Sequence, residues 1–306
     1  VKPAGLLPEL PTGLRTRFAP SPTGYLHLGH VVNLLYVWGA ARACGGTVIL
    51  RMEDHDRGRS RMEYERAILE DLEWLGFVPD EGLPLDDFKR PSSYRQSDCG
   101  AYYAEMLDRL RRAGLIYACR CSRAEIRSAG GEEMDGLYYP GICRDLNLPD
   151  AGHTLRVRIG PEPVEFNEVL TGKGVQCPFQ QCGDFAVRDR QGQWTYQFAC
   201  VCDDLRQNIR LVVRGKDLFE STGRQVLLRR MLGGGEPPLF LHHPLLHGPE
   251  GLKLSKRLLS ESITRRRLAG EPPETVLGEA AFRCGWIARN EPVSLDLLLT
   301  LFRHPV

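Results

Sequence analysis

A chain of 306 residues, 42% of them apolar, can bury one large or two modest globular cores. Its formal charge of +1 excludes global basicity as the way a nucleic acid is held, so any such partner must be met by local features. No apolar run is long enough to span a bilayer and the first residues carry no signal-peptide pattern, which predicts a cytoplasmic protein without a membrane partner, its ten cysteines reduced.

Residues 1–13, with three prolines and two glycines, read as an irregular lead-in. Leu14–Ala19 and Thr47–Met52 read as strands, and between them Leu34, Leu35, Trp38 and Ala41 recur at helical spacing before Gly45-Gly46. Strand, turn, helix, strand is a βαβ unit and implies a parallel sheet. Ser60 and Glu63 suggest a capping box for a helix that ends at Gly76, and a further helix over Tyr102–Arg112 stops at Gly114. Residues 117–175 turn to cysteines, glycines and short strand-like pieces such as Leu155–Ile159, the signature of an insertion between two halves of a sheet. Phe185–Arg188 and Leu211–Arg214 read as strands of the second half, Asp217–Leu232 as a helix, and the spans 273–285 and 294–302 as closing helices. The expected organisation is therefore α/β: half-sheets over 14–116 and 176–250, the insertion at 117–175 between them, and a loop and helical end over 251–306.

Two short strings carry chemistry. His27-Leu28-Gly29-His30 stands where a helix begins; orphan N–H groups and the helix dipole favour an anion there, and two imidazoles can donate to phosphate without a fixed charge. Alone, the tetrapeptide reads equally well as a turn with two surface histidines. Lys253-Leu254-Ser255-Lys256-Arg257 places two ammonium groups on a stretch bounded by Gly251, suited to closing over a triphosphate, although loop lysines are usually only solvated.

In this order, and with Arg17-Phe18-Ala19-Pro20-Ser21-Pro22-Thr23-Gly24 leading into the first, the strings resemble the two ATP-handling signatures of class I aminoacyl-tRNA synthetases. Arg51-Met52-Glu53-Asp54, Tyr196-Gln197 and Val213-Arg214-Gly215-Lys216-Asp217 extend the resemblance to the glutamyl/glutaminyl group over about residues 14–260. It implies a Rossmann-type catalytic domain and ATP as substrate, with Mg2+. His27, His30, Lys253 and Lys256 would be catalytic, and His27, Gly29, His30 and Lys256 would bind ATP. It further implies a glutamate pocket of Arg17, Ser21, Glu53, Tyr196 and Arg214, rimmed by the backbone of Phe18, Ala19 and Pro20. The chemistry of those residues agrees: two guanidiniums match two carboxylates and one acid matches the ammonium. Which arginine takes the side-chain carboxylate stays open.

Cys119 and Cys121, one residue apart, and Cys143 further on suggest tetrahedral zinc lacking a fourth ligand, for which His153 is the first candidate by chemistry. A compact subgroup of the family resembles this segment and carries a tyrosine four positions before the last cysteine, which implies Cys119, Cys121, Tyr139 and Cys143 around one structural Zn2+. Buried thiols without metal are the alternative, Cys177 and Cys182 form a pair without companions, and Cys200 and Cys202 read as core packing.

Only 49 residues follow Arg257, too few for a separate anticodon-reading module. The short end, the zinc-type insertion and the intact signatures resemble the truncated, glutamyl-queuosine-forming subfamily. That resemblance implies formation of glutamyl-AMP without tRNA and transfer of L-glutamate to the queuosine base of tRNA(Asp), by a monomer. Arg229, Arg230 and Arg265–Arg267 are the candidate tRNA contacts. An ordinary glutamyl-tRNA synthetase catalytic fragment is the enzyme alternative, and a binding module that has lost activation is the non-enzymatic one.

Overall fold

The computed structural model describes residues 6–85, 91–130, 138–246 and 262–303. Lys253, Lys256 and the glycine-bounded loop around them lie outside the described residues.

The chain opens as its apolar spacing predicts. Strand β1 (Arg15–Phe18), helix α1 (Leu28–Ala43) and strand β2 (Thr47–Leu50) form a βαβ unit, Arg15 registering with Thr47 and Phe18 with Leu50 in parallel. Helix α2 (Met62–Leu75) and the short β3 (Glu81–Gly82) extend it, β3 pairing with β2. The expected capping box does not form: Arg61 is the N-cap, and the buried Ser60 hydroxyl has no partner among the described residues. The helix does end at Gly76, whose φ of 83° closes it in the left-handed conformation that glycine adopts without strain.

Helix α3 (Gly100–Arg112) leads into β4 (Ile116–Cys119), the six-residue helix α4 (Arg123–Ser128) and β5 (Thr154–Val157). The chain then makes the hairpin β6 (Val164–Glu168) and β7 (Gly172–Gln176), a short α5 (Pro178–Gln181), β8 (Ala186–Arg188) and α6 (Tyr196–Arg206). Strand β9 (Leu211–Gly215), a 3-10 turn over Lys216–Ser221, α7 (Thr222–Met231) and β10 (Leu239–His243) follow, so the helix expected from Asp217 begins only at Thr222. Helices α8 (Ile263–Leu268), α9 (Pro273–Arg283) and α10 (Leu295–Thr300) come last.

Sheet membership corrects the expected grouping of strands. The strand at 186–188 pairs with β5 in an antiparallel sheet of order β4-β5-β8, so it belongs with the insertion and not with the second half. Conversely β6, inside the span read as insertion, runs parallel to β10 in a sheet of order β7-β6-β10-β9. Its Val164 and Phe166 turn inward on alternate positions to pack with Phe240 and Val226, which holds the hairpin to the main sheet.

The parallel sheet β1-β2-β3 and the parallel part of the second sheet meet at β1 and β9, where the Arg210 N–H donates to the Arg15 carbonyl at 2.9 Å. From that seam the chain winds one way to β2 and β3, the other way to β10. Such a reversal leaves a crevice beyond the carboxyl ends of its two central strands. Helix α1 roofs the seam and is apolar almost all round because α9 and α10 cover its outer side. The covering is tight: a Cβ on Gly39 would come within 2.4 Å of the Phe302 ring.

Candidate active site

The crevice at the seam holds a cleft of about 320 Å³ lined by Arg17, Ala19, His27, Gly29, His30, Glu53, Tyr196 and Arg214, joined by Asn33, Asp217 and His243. Eight of the predicted residues thus converge. Three do not reach the cleft wall: the Phe18 ring packs edge-on against Trp38 in the core, Ser21 is exposed, and Pro20 contributes by its carbonyl, which accepts from the Glu53 N–H at 2.9 Å.

At the nucleotide end, His27 caps α1. Its Nδ1 accepts from the Gly29 N–H at 3.1 Å while its own N–H donates to His30 Nδ1 at 3.1 Å, a capping box built of imidazoles. An Nδ1 that accepts an amide proton cannot also carry one, so each neutral ring must hold its proton on Nε2. Burial lowers the pKa of His27; burial and the neighbouring His27 push His30 down to about 3. Both rings are therefore neutral donors at physiological pH, beside a helix start that attracts anions.

The other end is built from buried charge. Arg51, fully buried, donates to Glu53 Oε1 at 3.0 Å, Asp204 Oδ1 at 2.8 Å and Gln207 Oε1 at 2.9 Å. Arg17 donates through Nε to the same Asp204 oxygen at 3.1 Å. Burial works against the charge on Arg17, but Asp204, together with Cys200 and Tyr196, outweighs it and its pKa stands above the ordinary value. Burial likewise opposes the Asp204 carboxylate, and Arg17 and Arg51 together bring its pKa below the usual range.

Arg214 differs. Its guanidinium donates through Nε to His242 Nε2 (3.0 Å), through Nη1 to Gln225 Oε1 (2.6 Å) and through Nη2 to Thr222 Oγ1 (2.9 Å), all neutral acceptors. No carboxylate touches it among the described residues, and burial lowers its pKa where the other two arginines are raised. A guanidinium has five N–H donors, so these three contacts leave two over, the number a bidentate carboxylate takes up. Tyr196 lines the same cleft, near enough to feel both Arg17 and Arg214, with its pKa raised above the usual phenol value, burial being the main cause.

Asp204, His242, Thr222 and Gln225 were not foreseen. One signal was available: Tyr196, Cys200 and Asp204 stand four residues apart on α6 and share a face, and Cys200, its pKa raised to about 12 by burial, lies 3.8 Å from Asp204 in the core.

Most of the expected tRNA contacts are occupied internally. Arg266 pairs with Glu271 and Glu279, Arg267 with Asp71 and Glu70, and Arg229 is buried. On α3, Arg109 pairs with Glu105, and Arg111 with Asp108 and Asp150, so these surface charges are neutralised within the molecule.

In the insertion, the Sγ atoms of Cys119, Cys121 and Cys143 lie within 4.8 Å of one another, all buried, with Cys121 and Cys143 at 3.4 Å. Zinc–sulfur bonds of about 2.3 Å in a tetrahedron require sulfurs about 3.8 Å apart, so the cluster fits the ion. The cysteines form no disulfide. The Tyr139 hydroxyl accepts from the Cys143 N–H at 2.8 Å and contacts the Cys119 and Cys143 thiols, while the Arg156 guanidinium lies 3.7 Å above its ring. His153 stands apart, its Nδ1 at 2.8 Å from the Pro149 carbonyl. Cys177 and Cys182 remain outside this group, each thiol donating to a backbone carbonyl.

Comparison with known proteins places this geometry. Residues 13–294 match the family described as tRNA synthetases class I (E and Q), catalytic domain. The chain is 39% identical over 298 residues to a glutamyl-Q tRNA(Asp) synthetase of Symbiobacterium thermophilum, covering 94% of this chain and 91% of that protein. It is 38% identical to glutamate–tRNA ligase 1 of Alkalilimnicola ehrlichii, spanning 94% of this chain but only 60% of that longer protein. Among solved structures, a glutamate-tRNA synthetase from Elizabethkingia anophelis superposes with a TM-score of 0.78 at 29% identity, over 95% of this chain and 66% of that one.

Proposed function

The chain belongs to the class I (E and Q) tRNA synthetase catalytic-domain family of ligases, and on that premise we propose that it activates L-glutamate with ATP and transfers it to queuosine in the anticodon of tRNA(Asp). The observation that carries the first half is the buried Arg214. A cation with only neutral contacts among the described residues, sharing with Arg17 and Glu53 a cleft beyond β1 and β9, is matched by a dicarboxylic amino acid. Arg214 takes one carboxylate through its two remaining N–H groups, and Glu53, with one oxygen already on Arg51, offers the other side of its carboxylate to the ammonium.

Activation joins a carboxylate oxygen of glutamate to the α-phosphorus of ATP and expels pyrophosphate, giving a mixed anhydride, glutamyl-AMP. The Nε2–H groups of His27 and His30 donate to phosphate oxygens, and the start of α1 supports the charge that gathers there. Lys253 and Lys256 are assigned to the same task by their motif. In the second step a hydroxyl of the cyclopentenediol on the base attacks the acyl carbon, and AMP leaves. Zinc at Cys119, Cys121, Tyr139 and Cys143 would hold the insertion together; a closed set of four ligands gives it no part in the chemistry.

The near full-length match to glutamyl-Q tRNA(Asp) synthetases favours the base as acceptor. The match to a longer glutamate–tRNA ligase supports a second reading, a catalytic portion that charges tRNA(Glu). Radiolabelled glutamate and ATP, supplied with tRNA(Asp) with and without queuosine and in parallel with tRNA(Glu), separate them. Label confined to queuosine-bearing tRNA(Asp) supports the first reading, label on tRNA(Glu) the second, and no pyrophosphate exchange at all refutes both.

A further inference from the structure

Behind Arg214, away from the cleft, stands a buried pair for which the proposed chemistry gives no role. Glu168, at the end of β6, accepts twice from His242 on β10: the His242 backbone N–H reaches Oε1 at 3.1 Å and Nδ1 reaches Oε2 at 2.6 Å. Both residues are at least 95% buried. With its proton held on Nδ1 by the carboxylate, the His242 ring has only a lone pair at Nε2, and that lone pair accepts from Arg214 Nε at 3.0 Å. Thr222 Oγ1, which accepts from Arg214 Nη2, lies 3.2 Å from the same Nε2 and closes the ring of contacts.

We propose that Glu168 and His242 are positioning residues for glutamate: the carboxylate fixes the imidazole tautomer, the imidazole fixes the guanidinium plane of Arg214, and the counter-charge is kept one ring away. The last point gives the arrangement its consequence. Had Glu168 contacted Arg214 directly, its full negative charge would have neutralised the cation and weakened its pull on the substrate carboxylate. Separated by a neutral ring, it orients the cation and leaves its fork open. The β6–β7 hairpin, remote in sequence from every recognised motif, thereby acquires a role in substrate affinity.

The substitutions distinguish orientation from mere packing. Glutamine at 168 has one carbonyl oxygen for two donors, so its amide N–H2 faces either the backbone N–H or Nδ1. The second arrangement moves the ring proton to Nε2, against the Arg214 N–H. Leucine at 242 removes the acceptor outright, whereas glutamine at 242 carries a carbonyl oxygen that can stand in for Nε2.

This inference rests on Arg214 binding a substrate carboxylate, and the test keeps the two apart by running Arg214→Ala beside the others. In glutamate-dependent ATP–pyrophosphate exchange with the full chain, Glu168→Gln and His242→Leu are expected to raise KM for glutamate by about tenfold or more, the size of one lost hydrogen bond to a charged group. KM for ATP should stay within about twofold of the parent, because the nucleotide end shares none of these contacts. His242→Gln should recover most of the loss. An unchanged glutamate KM in His242→Leu, equal rises for both substrates, or a His242→Gln no better than His242→Leu overturns the relay. If Arg214→Ala too leaves the glutamate KM unchanged, the carboxylate reading falls with it. Should His242→Leu fail to fold, Glu168→Gln against His242→Gln makes the same comparison without an apolar side chain in a polar site.

Discussion

The cleft and the cysteine cluster are both buried polar sites, yet they are assembled in opposite ways. In the cleft, Arg17 and its partner Asp204 stand 187 residues apart, and other wall residues come from α1, the end of β2, α6, β9 and β10. Its geometry is a property of the whole parallel sheet, and its charge is left incomplete at Arg214. The cluster draws everything from positions 119 to 143, on a small antiparallel sheet and the loops beside it. Its donors already face one another. One site is shaped to receive a charged molecule from solution, the other to close around an ion and stay closed. Damage to either should therefore leave the other's ligand in place.

The largest expected effect tests the open site. Arg214→Lys keeps a positive charge but replaces a planar fork held at three points by a single ammonium, which cannot serve Thr222, Gln225 and His242 and still grip a carboxylate. We expect kcat/KM for glutamate in pyrophosphate exchange to fall on the order of a hundredfold or more, with bound zinc unaltered. Near-parent activity would show that a point charge suffices and would break the contrast at its first term.

The same contrast explains what the sequence could disclose. The βαβ opening was legible because Leu34, Leu35, Trp38 and Ala41 repeat at helical spacing and all four are buried. The candidate ligands in the insertion were legible because they are close in sequence. Arg17, Glu53 and Arg214 could be read only through a family pattern, and what fixes them could not. Asp204 and His242 owe their positions to strand order, which no local spacing encodes. Val164, Phe166 and Glu168 do alternate inward along β6, but alternation does not say which sheet a strand joins, and so the hairpin was grouped with the insertion.

Next in size is loss of the closed site. Cys143→Ala should abolish stoichiometric zinc, measured by metal analysis, and lower the thermal midpoint by several degrees, since an ion bound only by the folded state stabilises it. Glutamate KM should stay within about threefold, because the cluster shares no side chain with the cleft. A glutamate KM that rises together with zinc loss would mean that the two regions are coupled.

A smaller effect sharpens the ligand set. Tyr139→Phe removes the oxygen that contacts two thiols while leaving the ring under Arg156, and it should weaken zinc about ten- to a hundredfold in competition with a chelator. His153→Ala, whose ring is engaged with a backbone carbonyl away from the sulfurs, should change nothing. The reverse result would exchange the two residues' roles.

The smallest effect lies in the acid limb of stability, and it separates the regions by pH. His30 has a folded-state pKa of about 3 against 6.5 for the free ring. Between those values the unfolded chain takes up a proton that the folded one refuses, so stability is fully present above 6.5 and declines as pH falls, by about 1.4 kcal/mol per unit for one such group. The cysteine cluster responds to the same acidification by a different route, through protonation of thiolates and release of the ion. His30→Gln removes only the first contribution, since an amide oxygen can still accept from the His27 N–H and cannot titrate. In paired denaturant titrations at pH 6.5 and 5, the variant should lose about 2 kcal/mol less stability than the parent, while zinc release follows the same pH course in both. Identical acid losses would mean that the ring at position 30 takes its proton as readily in the folded chain as in water, and the pair at the start of α1 would then approach a triphosphate charged rather than neutral.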